Sequence, residues 1–406
     1  MDDVDGDRGP GGTVDVEWPL SRRGDVVPPE CAWLRNHRPV ARIRTLTGDP
    51  AWLVSTHALV SYVLKEDALF SMDPVGAPDA PRLCAAAFPA GLRNSMTHFH
   101  SAGLREAVMH ALSPPAVARA AEVMRERAHQ LIDAFQAEGP PVDLKQHFTD
   151  PYTVTTLCTV LGLPDTDWRR MLSCLDITIM TACAPFEGAA LNWDKGVARM
   201  AAYLQDPHAA QAPGLLGLLA RFREQADPVP DETLATALHT LFEAGVASAS
   251  TALLNTVLLL LLRPEEAQWL RAHPEHLGTA VDELLRYNLS IGDGMSRIAT
   301  QDTELGGVAI RAGELVVVLV EGANHDPQAF PSPERLDLTR SPNPHMAFGA
   351  GRHYCPATHL ARTHAAVAFA ALLERLPDLR LAVPADLLNW RSRWVKRTPE
   401  RLPVLW

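Results

Sequence analysis

Positive charge is in short supply in this chain. Its 37 lysines and arginines face 48 aspartates and glutamates, a formal net charge of −11. That balance argues against nucleic acid or an anionic membrane as the main partner, because both are held by clustered cations. Long apolar runs are also missing. The run Val257 to Leu262 is well short of the ~20 residues a membrane-spanning helix needs and sits inside a helical pattern. The opening Met1-Asp2-Asp3-Val4-Asp5-Gly6-Asp7 is acidic and lacks an apolar core, so it is expected to be neither a secretory signal nor an anchor, and a cytoplasmic location is expected with it. Cysteine is sparse: Cys31, Cys84, Cys158, Cys174, Cys183 and Cys355 are scattered, mostly among apolar neighbours, as reduced core residues would be. No C-x₂-C pair occurs, and no Gly/Ser-rich, low-complexity or repeated stretch divides the chain.

What is present suits one large helical unit. The hydrophobic share of 47% is ample for a core, and 33 prolines with 25 glycines punctuate many short helices. Residues 1–15 are expected to be a flexible N-terminus and 16–406 a single domain. Ala41 to Leu46, the turn Gly48-Asp49-Pro50, and Ala51 to Ser55 read as a hairpin leading into a helix from about His57. From Asp231, an N-cap candidate after Pro230, a pattern without breakers runs to Arg263 before Pro264. It is apolar on nearly every face and should be buried centrally. A further helix carries Glu283-Leu284-Leu285-Arg286, its two charges on one face at i and i+3.

The most informative stretch lies near the C-terminus: Phe348-Gly349-Ala350-Gly351-Arg352-His353-Tyr354-Cys355, then Pro356-Ala357-Thr358-His359-Leu360-Ala361. A thiolate that ligates haem iron needs a cysteine on a turn, glycines that permit positive φ and close approach, and donors directed at the sulfur. Gly349 and Gly351 flank such a turn, and His353 has the length to reach a propionate. The segment from Cys355 to Ala361 can begin a helix whose N-terminal N–H groups favour the thiolate. Two plainer readings compete, a buried structural cysteine and a zinc cluster of His353, Cys355, His359 and His364. Structural zinc favours paired ligands at short spacing, which are missing here. A dinucleotide loop fails because the third glycine of G-x-G-x-x-G would fall on Tyr354.

The aromatic-Gly-x-Gly-x-His-x-Cys pattern resembles the signature of the cytochrome P-450 family, with Ala357 standing where glycine is usual. The resemblance implies a mainly α fold with small β-sheets, haem b held between the long central helix and the cysteine-loop helix, and Cys355 as the axial iron ligand. It implies that Phe348, Gly349, Gly351 and His353 line the haem, that Arg297 and Arg105 hold its propionates, and that Glu283, Arg286 and Arg335 (in Pro333-Glu334-Arg335-Leu336) form a buried structural triad. It also implies dioxygen as co-substrate, with electrons from NAD(P)H through a reductase and a ferredoxin or flavodoxin. The family's central helix normally carries Ala/Gly-Gly-x-Asp/Glu-Thr, whose acid and hydroxyl relay protons. Here the stretch is Ala244-Gly245-Val246-Ala247-Ser248: the small pair Ala244-Gly245 is kept, which by the resemblance gives room for dioxygen beside the helix, Ala247 replaces the acid, and Ser248 replaces the threonine. General acid–base assistance is worth ~10²–10⁴-fold, so another proton source is needed.

Asn288-Leu289-Ser290, Asp293-Gly294, Leu315 to Asn324 and Pro399 to Trp406 resemble the branch of the family that oxidises cyclic dipeptides. That likeness implies a substrate pocket of Trp193, Thr240, Asn94 and Met96, with Ser95, Ile179, Lys396 and Phe88 replacing other residue types. Lys396 in place of an arginine removes a planar fork of donors. An apolar, partly aromatic pocket suits a flat ring, which favours an indole-bearing diketopiperazine. The expected chemistry is hydrogen abstraction and radical coupling. A hydroxylase of another natural product, a haem carrier without turnover, and a zinc-binding interaction protein are the alternatives.

Overall fold

In the hairpin, the alternation of Ala41 and Ile43 with Ala51 and Leu53 places the apolar side chains of both strands on one buried face. Strands Val40–Arg44 and Pro50–Val54 pair antiparallel, Val40 opposite Val54 and Arg44 opposite Pro50. Gly48 takes φ +86° in the turn, and the Thr45 N–H closes it onto the Asp49 carbonyl at 2.9 Å. Thr56 then caps helix His57–Lys65, its side chain accepting from the Leu59 N–H. These elements belong to a computed structural model that describes residues 16, 18–20, 23–72, 79–83, 103–165, 168–175, 189–223, 229–288, 295–391 and 397–406. The N-terminal segment 1–15 and the candidate pocket residues Phe88, Asn94, Ser95, Met96, Ile179 and Lys396 lie outside the described residues.

Strand Leu315–Val318, an apolar run buried on both faces, joins parallel to Pro50–Val54 and antiparallel to Met295–Ala299. With Phe70–Ser71 at the far edge this makes a five-stranded sheet; a three-stranded sheet joins Val142–Asp143, Pro403–Leu405 and Arg380–Leu381, and a two-stranded one pairs Thr303–Leu305 with Val308–Ile310. The rest of the described chain is largely helical, so the mainly α architecture with small sheets is as expected.

The central helix spans Asp231–Leu261, 31 residues, or about 46 Å at 1.5 Å per residue. Its start corrects the expected cap: Pro230, at φ −55° and ψ 138°, holds the cap position, and Asp231 is the first helical residue, ion-paired to Arg223 Nε at 2.7 Å. Its end falls two residues early. Arg263 precedes Pro264 and is pushed to φ −136°, ψ 72°, because the proline ring disfavours helical backbone before it. By length and composition this helix is apolar enough to cross a bilayer, but Leu234, Leu238, Leu253, Leu254, Val257 and Leu258 are buried in the main core. It packs on helices Asp150–Leu161 and Ala189–Leu204, while Thr358–Arg375 packs on Pro114–Glu138. Truncating a core leucine such as Leu254 to alanine should cost about 2–5 kcal/mol.

Candidate active site

The cysteine loop is built by two left-handed glycines. Gly349 and Gly351 both take φ +71°, a region that costs other residues about 1–2 kcal/mol. Their reasons differ. A Cβ on Gly349 would meet nothing nearer than Met295 at 3.8 Å, so only its dihedral requires glycine. A Cβ on Gly351 would lie 2.4 Å from the Leu64 carbonyl oxygen and 2.8 Å from Lys65 Cα, so the loop also needs glycine to lie against helix His57–Lys65. The Cys355 N–H donates to the Phe348 carbonyl at 3.0 Å, closing the turn. The Thr358 hydroxyl donates to the Cys355 carbonyl at 2.7 Å and leads into helix Thr358–Arg375, which starts three residues after the cysteine. Cys355 is half-buried and outside any disulfide, whereas Cys31 and Cys158 are buried thiols whose pKa desolvation pushes up, that of Cys158 to about 12. Only Cys355 has the accessibility of a ligand or nucleophile among these three.

Arg297 and His353 converge beside this loop. Arg297, on strand Met295–Ala299, is 3% exposed; its Nη1 donates to the Ser296 carbonyl at 2.9 Å, and among the described residues it has no carboxylate ion pair. Burial pulls its guanidinium down to about 10. A buried cation in this state calls for an anion. His353 Nε2 lies 3.0 Å from Asp67 Oδ1; burial and the Arg297 charge lower its pKa, and Asp67 acts in the opposite direction. Two positive or potentially positive groups, a turn thiol and a glycine-lined approach fit the carboxylates, iron and flat face of haem. The zinc reading does not fit: among the described residues no three His, Cys, Asp or Glu side chains stand close enough to hold a metal ion, and His364 is buried against Thr153 at 3.1 Å. Arg105 opens helix Arg105–Ala111 and is exposed. The Phe348 ring packs 5.2 Å from the Arg362 guanidinium, which is fixed by Asp282 at 2.6 Å.

The central helix turns an open face outward in mid-core. Ala244 is exposed and Ala247 and Ser248 are half-buried, although the residues before and after are packed. Gly245 corrects an expectation: a Cβ on it would meet Leu157 Cδ1 at 2.8 Å, so its smallness serves packing against helix Asp150–Leu161, and the room lies beside Ala244. Trp193 and Thr240 are buried one helix turn or more away, Trp193 edge-on to His239 at 4.7 Å.

The structural triad is also corrected. Arg286 clasps Glu283 through Nε and Nη2 at 2.7 and 2.8 Å, both residues fully buried. The third cation is Arg340, whose Nε reaches the Glu283 oxygens at 3.1 and 3.0 Å. Arg335 is exposed and contributes only its carbonyl, which accepts from Arg286 and Arg340. The physical reason is the meander of the chain: Arg340 Nη1 donates to the Pro331 carbonyl, folding the segment so that Arg340 points inward. Burial alone would raise Glu283, but Arg286, the Asp337 N–H and Arg340 hold it below the usual carboxylate range. Sequence reading missed Arg340, Asp67, and the pair His239 and Glu243; only the last had a visible signal, an i,i+4 spacing on one helix face.

Comparison with known proteins gives the family. The Cytochrome P450 family model matches residues 213–377. The chain is 44% identical over 400 residues to mycocyclosin synthase of Mycobacterium tuberculosis, covering 97% of this chain and 99% of that one. It is 35% identical to nocardicin C N-oxygenase of Nocardia uniformis, over 93% and 95% of the two chains. The solved structure of HinD with NMFT and NO superposes with a TM-score of 0.88 at 34% identity, covering 97% of this chain and all of that one. With its cysteine loop, buried Glu-x-x-Arg network and relatives matched along nearly their whole length, the chain belongs to the cytochrome P450 family of haem-thiolate oxidoreductases.

Proposed function

We propose that this enzyme oxidises a 2,5-diketopiperazine carrying tryptophan or tyrosine, removing two hydrogen atoms and joining carbon to carbon or carbon to nitrogen. The observation that carries this reading is the likeness to mycocyclosin synthase along nearly the whole of both chains. The site supports it through Trp193 and Thr240, which lie on the helix pair bordering the open face of Ala244 and Ser248.

Haem, when bound, supplies the dioxygen-dependent one-electron oxidation. Cys355 would hold the iron, Arg297 and His353 the carboxylates, and Phe348, Gly349 and Gly351 the near face. The Arg286–Glu283–Arg340 network keeps the cysteine loop in register: Asn343 Nδ2 reaches Glu283 at 3.2 Å, and the Met346 N–H donates to Asn324 Oδ1 at 2.8 Å just ahead of the loop. Ser248 is suited to hold a proton on the open face, and Trp193 to brace a flat ring. In coupling chemistry the protein's main contribution is orientation, because two ring atoms must be held within contact before either radical escapes. The electrons are proposed to come from NAD(P)H through a reductase and a ferredoxin or flavodoxin. Residues 16–406 are proposed to act as one catalytic unit.

The test is the mass change when the haem-loaded enzyme, with surrogate ferredoxin and reductase, turns over tyrosine- and tryptophan-containing cyclic dipeptides. Loss of two hydrogens, with or without doubling of mass, is expected. Gain of one oxygen would make it a hydroxylase of the same substrates, and no reaction across the panel would refute the substrate class.

A further inference from the structure

The central helix lacks an acid at Ala247, yet it carries a carboxylate one turn earlier. Glu243 is 3% exposed, and its Oε2 lies 3.3 Å from Nε2 of His239, which is 2% exposed. The His239 ring is seated at the seam with helix Ala189–Leu204. It meets Trp193 edge-on, and it fills the space left by Gly196, where a Cβ would sit 2.1 Å from Cε1. Burial, aided by the Arg199 charge on the same neighbouring helix, lowers His239 to about 4. The imidazole is therefore neutral at pH 7, one nitrogen a donor and the other an acceptor, and Glu243 favours the Nε2–H tautomer. Among the described residues the Thr240 hydroxyl is buried without a hydrogen-bond partner, and the His239 ring nitrogens make none either, the 3.3 Å approach of Nε2 to Glu243 being a charge contact without hydrogen-bond alignment.

These groups form a stripe around the helix. With successive residues turning by about 100°, and His239 set at zero, Glu243 falls near 40°, Thr240 near 100°, Ala244 near 140° and Ser248 near 180°. Around the axis the order runs from the seam with Ala189–Leu204 to the open face; along it, at 1.5 Å per residue, Thr240 lies about 4.5 Å before Glu243 and Ser248 about 7.5 Å beyond it. Arg199, half-buried on that neighbouring helix, stands near enough to His239 for its charge to act on the ring.

The geometry points to Glu243 and His239 as the buried proton relay that serves the open face in place of the acid absent at position 247. Glu243 gives up a proton toward Ala244 and Ser248, on the next turns of the helix, across water on the open face. The carboxylate regains a proton from solvent through His239, so one proton enters for each delivered and no net charge accumulates. This rests on the haem-site reading but not on the identity of the substrate.

The test uses the haem-loaded full chain with ferredoxin, reductase and cyclo(L-Trp-L-Trp). Oxygen consumption reads proton supply, and product mass reads the substrate proposal. E243Q keeps the shape of the acid but cannot ionise; it should slow oxygen consumption by ~10²-fold and alter the solvent isotope effect, with the haem spectrum unchanged. Restoring an acid at the usual position, in E243Q/A247D, should recover ~10-fold or more of that loss. H239Q, which breaks reprotonation, is the second variant and should shift the isotope effect in the same sense. Wild-type rate and isotope effect in E243Q and H239Q, or no recovery when A247D is added to E243Q, would overturn the relay. Oxygen consumption that depends on Glu243 with no conversion of the dipeptide would refute the substrate reading alone.

Discussion

Replacing Arg340 with alanine should weaken the protein far more than replacing Arg335, five positions earlier. Arg340 Nε lies within 3.1 Å of both Glu283 oxygens, and its Nη atoms donate to the carbonyls of Pro331 at 2.9 Å and Arg335 at 3.2 Å. Breaking one partner of a buried ion pair costs about 3–5 kcal/mol when the other is left stranded. Glu283 is not stranded in R340A: it keeps Arg286 at 2.7 and 2.8 Å, the Asp337 N–H at 2.9 Å and Asn343 at 3.2 Å. The loss therefore belongs at the low end, about 3 kcal/mol, or a factor of ~10² in the folded-to-unfolded ratio. R335A removes only an exposed side chain and keeps the carbonyl that Arg286 and Arg340 use, so its effect should stay within about 0.5 kcal/mol. Urea unfolding followed by tryptophan fluorescence, together with haem retained per chain after purification, measures both. R335A as damaging as R340A, or R340A indistinguishable from wild type, would refute the assignment of Arg340 to the network.

Cys355→Ser should leave the fold intact but abolish the carbon monoxide band shift typical of thiolate-ligated haem, seen by difference spectroscopy. Gly351→Ala should destabilise the cysteine loop by at least about 1–3 kcal/mol, combining positive φ with a Cβ 2.4 Å from the Leu64 carbonyl oxygen, and should lower haem retention in a chelation or dialysis assay. Burial holds His239 and His325 at about 4 and His364 at about 3, below the unfolded value of about 6.5, so the unfolded chain binds more protons in acid. Their stabilisation is complete above pH 6.5 and should be lost as the pH falls toward 4, by up to about 1.4 kcal/mol per pH unit for each histidine, which melting curves between pH 7 and 4.5 would follow. His364→Gln should flatten that slope by about a third.

The helical architecture and the cysteine loop were legible because both are written in local patterns. Hairpin alternation, a long apolar stretch between prolines, and two glycines before a cysteine each specify their geometry within a few residues. Arg340 was hidden because its role depends on how the segment from Pro331 to Arg340 folds back, a matter of carbonyl directions that sequence spacing does not encode. Gly245 was misread for a related reason. A small residue makes room on whichever side it faces, and the neighbouring Leu157 is 88 positions away by residue number. Asp67 was invisible since its partners, His353 and Arg352, come from the opposite end of the chain.

That last contact bears on how the enzyme acquires its cofactor. Asp67 and His353 are 286 positions apart, and Gly351 rests on the backbone of Leu64 and Lys65. The early helix is thus one wall of the mould in which the cysteine turn sets, and the turn itself emerges only after most of the chain has been synthesised. A chain that stops before residue 351 would have the wall but not the cysteine turn, and a C-terminal fragment would have the turn but not the wall. Contacts of such long sequence separation close slowly. The turn can therefore reach its folded shape only when both ends of the chain are in place.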